Sequence, residues 1–364
     1  MKIHQISYGL IPGDAISNQV LEIDRRLRDW GLEADIFAQH VATELADRVR
    51  PDREYIDHLR DSEDLLIYHY GIYSPNMRYF RATKGRRILV YHNITPARYF
   101  RGWDRDQELL CDAGRRTLLN LAECEHALAD SEYNRLELVE AGLPEERTDV
   151  LPIFLSQAHF ESNPVVESLM KAIRQTGTTN FLTVGRVAPN KAMEDVIRIF
   201  AVYHRAINPN SRLYIVGSRY LPKYDAALDA MVTSLDLEDA IVFTGLLTDF
   251  SRLKTYYQAA DIYLHASHHE GFCVPLIESM YFGLPILARR AAAVPETLGT
   301  SGILFNRLGY EEVAEMAHLL ITDEALRAQI VHRQRERLQH FAPSRVEAQL
   351  KEILVRLRIL SSGA

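Results

Sequence analysis

Apolar positions along this chain alternate between two rhythms. Short runs rich in β-branched and aromatic residues read as buried strands, and stretches with apolar positions three or four apart read as helices. In the first half, strands are predicted at 2–8, 33–38, 64–70, 88–91 and 126–130. In the second half they are predicted at 180–185, 212–217, 240–245, 262–266 and 285–288, with 298–305 closing that half. Helical periodicity covers 15–30 and 106–123, and another helix opens behind an N-cap at Ser131. Amphipathic helices are predicted at 311–320, 324–340 and 343–360. Strand following helix following strand indicates parallel α/β sheets. A polar, Pro-containing segment interrupts the rhythm, and an inter-domain linker is expected around 154–164. The halves share this rhythm but no internal repeat.

Size and composition narrow the classes. The chain has 364 residues, room for two to three domains, and its 47% hydrophobic and 25% charged content is ordinary for a soluble protein. A net charge of −7 supplies no field that recruits nucleic acid. No apolar run reaches membrane-spanning length, and the opening MKIHQISYGL reads as a strand rather than a secretion signal. The expected location is cytoplasmic, with the inner face of the membrane as a variant. Cys111, Cys124 and Cys273 are odd in number and lack a metal-ligand spacing, which suits a reducing compartment. Among the 14 His residues no helix presents a His-x3-His pair, so no structural metal is expected.

The densest chemistry lies in 261–290. Strand 262–266 leads into the polar loop Ser267–Cys273, then Pro275 opens a short apolar helix, Leu276–Phe282, that Gly283 ends. Free amides at that helix start, at Phe272, Cys273 and Val274, suit an anion, and Gly271 lets the backbone approach a ligand. Glu270 in the loop and Glu278 in the expected first turn suit sugar hydroxyls; the plain alternative is a helix cap with solvated acids. A second cluster follows strand 180–185. Gly185 precedes Arg186, and Lys191 stands near the next helix start, where the dipole disfavours cations. A diphosphate held between Arg186 and Lys191 would explain them; two surface bases would also. Gly185, Gly217, Gly245 and Gly271 all follow strands, as ligand loops along one sheet edge do.

The first half offers weaker candidates. The loop Gly9–Asn18 carries Gly13 and Asp14 between strand and helix, but no G-x-G-x-x-G. His92 stands just past a strand end, either facing a ligand or packed as a cap, with His69 and Tyr70 on a neighbouring strand. The stretch 78–103 mixes basic and aromatic residues. That mixture suits a membrane surface or a solvated face with buried aromatic stems.

EGFCVPLIESMYFGLPILA, with seven residues between Glu270 and Glu278, resembles the signature of the retaining nucleotide-sugar glycosyltransferases of GT-B type. Gly185, Arg186 and Lys191 match that family's donor pyrophosphate clamp, with Ala192 where Gly is frequent. Ser131 and Arg135 match a further family position. The resemblance implies an α/β GT-B fold, two doubly wound Rossmann-like domains facing across a cleft. It implies an acceptor-side domain over 1–157, a nucleotide-sugar domain over 158–341, and a helix in 342–364 crossing back to the first. It implies metal-independent transfer of a hexosyl unit, with retention, from a donor of the GDP-mannose or UDP-glucose type. The acceptor would be a glycan, lipid-linked or small-molecule hydroxyl, as in polysaccharide biosynthesis. No cofactor is implied beyond the nucleoside diphosphate sugar as co-substrate.

By the same resemblance, Arg186, Lys191 and the amides after Gly271 stabilise the leaving diphosphate. Glu278 holds the ribose, Glu270 the donor sugar, and the Leu246–Leu247 backbone frames the base. Gly13 approaches the donor phosphate, Asp14 stands where a second glycine is usual, and His92 positions the sugar. Relatives also suggest a peripheral membrane contact for the basic stretch. A nucleotide-sugar epimerase, a phosphorylase of the same fold, and a non-catalytic sugar-nucleotide-binding subunit are the alternatives.

Overall fold

The computed structural model describes residues 1–155, 157–306 and 309–361, apart from the side chains of 158 and 159. The expected linker thus includes one position, 156, and the expected last segment three, 362–364, outside the described residues. Two compact units emerge. One comprises Met1–Arg98, Asp106–Phe154 and Phe341–Ala364; the other comprises Tyr99–Arg105 and Leu155–His340.

The first unit carries β1 (Ile3–Leu10), β2 (Ala34–Val41), β3 (Arg50–Pro51), β4 (Leu65–Tyr70), β5 (Arg86–Tyr91), β6 (His126–Ala129) and β7 (Thr148–Val150). They form one parallel sheet in the order β3-β2-β1-β4-β5-β6-β7. Every residue of β4 is buried, as a strand covered on both faces requires. The last helix, Pro343–Arg356, belongs to this unit. Its Val346, Leu350, Ile353 and Leu354 enter the same apolar cluster as Ile3, Leu65, Ile88 and Leu128. Full burial of such side chains contributes roughly 1.5–3 kcal/mol each.

The second unit carries β8 (Thr179–Val184), β9 (Ser211–Val216), β10 (Ile241–Gly245), β11 (Ile262–His265), β12 (Ile286–Arg289) and β13 (Ile303–Phe305). This sheet is also parallel, in the order β10-β9-β8-β11-β12-β13. The chain first winds outward from β8 through β9 to β10, then returns to β11 on the other side. Loops leaving β8 and β11 therefore diverge, and the carboxyl ends of these two strands border a crevice. Gly217 is obligatory beside it, because a Cβ there would meet the Gly185 carbonyl oxygen at 1.9 Å.

Two differences from the predicted elements have local causes. The helix expected over 106–123 is α-helical only over Arg105–Thr117 and then tightens into a 3-10 turn, Leu118–Leu121. There the Tyr70 hydroxyl donates to the Gly114 carbonyl at 2.8 Å, and Thr117 Oγ1 donates to the Ala113 carbonyl at 2.8 Å, diverting ladder acceptors. The edge strands β3 and β7 are too short for any periodicity to reveal.

Candidate functional site

The divergence at β8 and β11 brings together the two densest motifs of the sequence. After Gly185, Arg186 is exposed and makes no ion pair among the described residues. Pro189–Lys191 forms one 3-10 turn, and Ala192, in the left-handed region at φ 50°, turns the chain into the helix Met193–Val202. Lys191 Nζ then donates to both oxygens of Glu270, at 2.6 and 2.7 Å. The two loops are also joined through their backbones. The His268 amide donates to the Asn190 carbonyl at 2.8 Å, and Asn190 Nδ2 donates to the His269 carbonyl at 3.3 Å. Behind them the Thr297 hydroxyl donates to the Phe272 carbonyl at 2.6 Å and the Ala293 amide to the Glu270 carbonyl at 3.2 Å. The site is preorganised by contacts that need no ligand.

Charge is arranged asymmetrically. Burial pushes the Glu270 carboxyl up, but the Lys191 ammonium, His265 and a hydrogen bond from Ser267 together offset this and hold it below the usual carboxylate range. His265 Nε2 lies 3.4 Å from Glu270 Oε1. Burial lowers the His265 pKa to about 4, so its ring is neutral at physiological pH. Glu278 sits in the second turn of the helix Val274–Tyr281, not the first as expected, and accepts from the Tyr257 hydroxyl at 2.5 Å. With no cation on it, burial pushes its pKa up to about 7. The left-handed residue of this loop is Cys273, at φ 73°. It stands as the N-cap, so the amides of Cys273 and Val274 head a helix with no side-chain cap. Leu247, just past β10, packs against the second core, while Leu246 is exposed.

A further network supports the loop from below. Arg289, at the end of β12, donates to Asp195 at 2.5 Å and meets His268 Nδ1 at 3.1 Å, while the Tyr310 hydroxyl donates to Asp195 at 2.9 Å. The Tyr99 ring stacks on His268 at 6.0 Å. Nothing local marks these residues in the sequence. Their one signal is position, since Arg289 directly follows the strand predicted at 285–288.

In the first unit the expected ligand contacts have partners of their own. Gly13 is left-handed at φ 81°, and Asp14 caps the helix Ala15–Asp29 by accepting from the Ser17 amide and hydroxyl, both at 3.0 Å. Asp14 is thus accounted for as a helix cap. His92, expected to position the sugar, has partners of its own within the first unit. Its side chain has no exposed surface, Nδ1 lies 3.0 Å from each Asp130 oxygen, and Nε2 lies 2.9 Å from His69 Nδ1. His69 Nε2 continues to Gln5 Oε1 at 2.9 Å. Both His92 nitrogens are taken. Ser131 caps the helix Glu132–Glu140, and Arg135 pairs with Glu132 and Glu145. In the basic stretch Tyr79, Phe80 and Phe100 are buried, and Arg78 and Arg87 lie over the rings of Tyr79 and Phe80. Among the described residues no helix is long and apolar enough to cross a membrane.

Residues 167–337 match the family described as glycosyl transferases group 1. An uncharacterized glycosyltransferase of Haemophilus influenzae is 28% identical over 48% of this chain and 48% of its own length. O-antigen chain mannosyltransferase B of Escherichia coli is 22% identical over 72% of this chain and 66% of its own. The chain thus spans about half to two thirds of these curated relatives. Among solved structures, Anabaena HepE in complex with UDP and glucose superposes with a TM-score of 0.79 at 19% identity, covering 98% of this chain and 100% of that one. That likeness is one of fold: two Rossmann-like α/β units of the GT-B glycosyltransferase kind.

Proposed function

Because residues 167–337 match the glycosyl transferases of group 1, we infer that this chain moves a hexosyl unit from a nucleoside diphosphate sugar to an acceptor hydroxyl. The carrying observation is the Lys191–Glu270 pair beside the exposed Arg186, which makes no ion pair among the described residues, at the point where the second sheet reverses its strand order. Departure of the sugar leaves negative charge on the diphosphate. Arg186 offers a forked pair of donors, Lys191 a point charge, and the amides of Cys273 and Val274 a helix N-terminus. Fixed donors of this kind stabilise developing charge without reorganising.

In the ligand-free protein Lys191 neutralises Glu270. A bound diphosphate draws the ammonium to itself, and Glu270 then accepts from the donor sugar's hydroxyls beside the cationic anomeric carbon. Glu278 holds the ribose, and Leu247 and Leu246 frame the base. The anomeric C–O bond breaks with its electrons going to the diphosphate. The acceptor oxygen bonds on the same face, and its proton passes to the departing phosphate oxygen. Retention follows from that geometry, and no metal is needed. A donor of the GDP-mannose or UDP-glucose type and a glycan, lipid-linked or small-molecule acceptor suit this reading. Two of the three proteins named above support it, one a mannosyltransferase and the other, alike in fold, a protein in complex with UDP and glucose.

The test is a thermal-shift panel of nucleoside diphosphates and their sugars in excess chelator, followed by transfer assays with the cognate donor. One nucleotide should raise the unfolding midpoint, and Arg186→Ala should lower kcat/KM by roughly 10²–10³-fold, as loss of one charge-stabilising donor does. No stabilising nucleotide, or an Arg186→Ala loss under tenfold, refutes the clamp. Inactivation by chelator with the unfolding midpoint unchanged refutes the metal-free mechanism.

A further inference from the structure

The opposite edge of the first sheet holds a cluster that the transfer reaction does not use. His4 in β1 is in register with Asp35 in β2, and Asp64 immediately precedes β4. All three lie at the amino ends of adjacent strands, away from the carboxyl ends where ligands of such sheets bind. His58, closing the turn Asp52–His58, brings its ring to 4.5 Å from that of His4. Phe37 and Tyr55 wall His4 in edge-on.

His4 is wholly buried, and neither of its ring nitrogens has a close, well-aligned hydrogen bond among the described residues. An orphaned buried imidazole is costly and calls for an explanation. Its surroundings supply one. Nε2 faces Asp64 Oδ2 at 3.5 Å, and Nδ1 faces Asp35 Oδ2 at 3.7 Å. The first separation is at the outer limit of a hydrogen bond and the second beyond it. With metal bonds of about 2.0–2.2 Å, however, two ligand atoms of a tetrahedral zinc site stand about 3.4 Å apart. One ligand atom from each of His4, His58 and Asp64 lies within 4.8 Å of the others. The remaining atoms fit the outer layer of such a site. The Lys2 amide donates to Asp64 Oδ1 at 2.6 Å, orienting the carboxylate and leaving Oδ2 inward. Asp35 stands where the other nitrogen of a metal-bound histidine usually donates, and Asp61 Oδ2 is 3.2 Å from His58 Nδ1.

We propose that His4, His58 and Asp64 bind a divalent transition cation of the zinc type, with Asp35 as the carboxylate behind His4. Two imidazoles and one carboxylate, with solvent at the fourth position, are a borderline set that favours zinc over magnesium or calcium. His58 and Asp64 are partly exposed, with side chains 19% and 17% accessible, which gives the ion a way in. The cation stabilises the first unit and takes no part in transfer. A second trio, His265, Glu270 and Cys273, has comparable spacing, but the Lys191 ammonium already sits on its carboxylate. That neighbour repels a second cation.

Full-length protein stripped with chelator and titrated with Co2+ or Zn2+ tests this. One Co2+ should bind with the intense visible absorption of a tetrahedral site, and Zn2+ should raise the unfolding midpoint. His58→Ala, at a partly exposed position that does not threaten folding, should abolish both signals, as should His4→Gln. Asp35→Asn should weaken Zn2+ binding by about 10–100-fold, the usual effect of losing an outer partner. Nucleotide binding should be unchanged in His58→Ala, which separates this inference from the transferase reading. The proposal is overturned if no cation binds, if His58→Ala binds as tightly as the wild type, or if Cys273→Ser rather than His58→Ala removes the signal.

Discussion

The two sheets follow one plan, yet their strand ends spend their polar groups differently. At the carboxyl ends of the first sheet, Asp130, His92, His69 and Gln5 form a closed chain in which each imidazole nitrogen has a protein partner. Beyond the carboxyl ends of the second, Lys191 satisfies Glu270, while Arg186 stays exposed and Glu278, in the helix that follows, accepts from the Tyr257 hydroxyl with no cation on it among the described residues. A closed network specifies a structure; a network with surplus donors and an unneutralised acid is ready for a ligand. The difference teaches that position at a strand end, which both sets share, does not by itself identify a binding group.

Removing the hinge of the open network should have the largest effect. Lys191→Ala leaves Glu270 buried without its cation, at a cost of ~3 kcal/mol or more. Transfer should fall by roughly 10²–10³-fold with it. Burial then dominates Glu270 and raises its pKa, so the variant should be more stable in mild acid than at pH 8. The double variant Lys191→Ala/Glu270→Gln should recover much of the stability and none of the activity. Denaturant melts of both, at two pH values, check this. A single variant as stable as the wild type at pH 8 would mean the pair is ornamental.

Glu278 offers the next contrast, because its sign is reversed. Burial holds its carboxyl at about 7, above the ordinary 4.5. The folded protein therefore binds a proton that the unfolded chain has released between these values. Stability from this group is full below about pH 4.5, declines as pH rises, and is lost above about 7. Glu278→Gln should thus stabilise the ligand-free protein by ~1–2 kcal/mol at pH 8 and leave it unchanged near pH 4.5. Nucleotide affinity should fall about tenfold at pH 8, as loss of a charged hydrogen-bond acceptor predicts. A stabilised variant with intact nucleotide affinity would separate the group from ribose binding.

These residues also show what the sequence makes legible. The alternation of elements, the glycines at strand ends and the motifs at Arg186–Lys191 and Glu270–Glu278 are local patterns, and they mark both the fold and the ligand edge. Partnerships across the chain are not local. Nothing near His92 announces that His69 and Asp130, from two neighbouring strands, occupy both its nitrogens. Likewise Arg289 and Asp195 are 94 residues apart and meet only through the fold. Asp14 carries two readings at once, since a cap and a ligand contact use the same residue types at the same helix start.

A smaller effect is expected in the closed network. Burial raises the pKa of Asp130, and His92 beside it draws it back only in part. Asp130→Asn keeps one acceptor for His92 Nδ1 while removing the charge. A stability change of ~1 kcal/mol should follow, with nucleotide affinity unaltered by calorimetry. A large loss of nucleotide binding would show that the first sheet's chain reaches the ligand after all.

The smallest prediction concerns two left-handed residues of the open site, Ala192 at φ 50° and Cys273 at φ 73°. Each carries the roughly 1–2 kcal/mol that a β-carbon costs in this region. Ala192→Gly removes that strain and only one methyl, against an unfolded-state entropy cost of ~0.4–1 kcal/mol. A net gain of ~0.5 kcal/mol is expected. Cys273→Gly relieves the same strain but withdraws a buried thiol from a cluster that includes Tyr257, Tyr263 and Leu276. Lost packing there, ~1 kcal/mol or more, outweighs the relief, so the sign should reverse. Opposite shifts in the denaturation midpoints of the two variants would show that strain decides the first position and packing the second. Shifts of the same sign would place both under one cause.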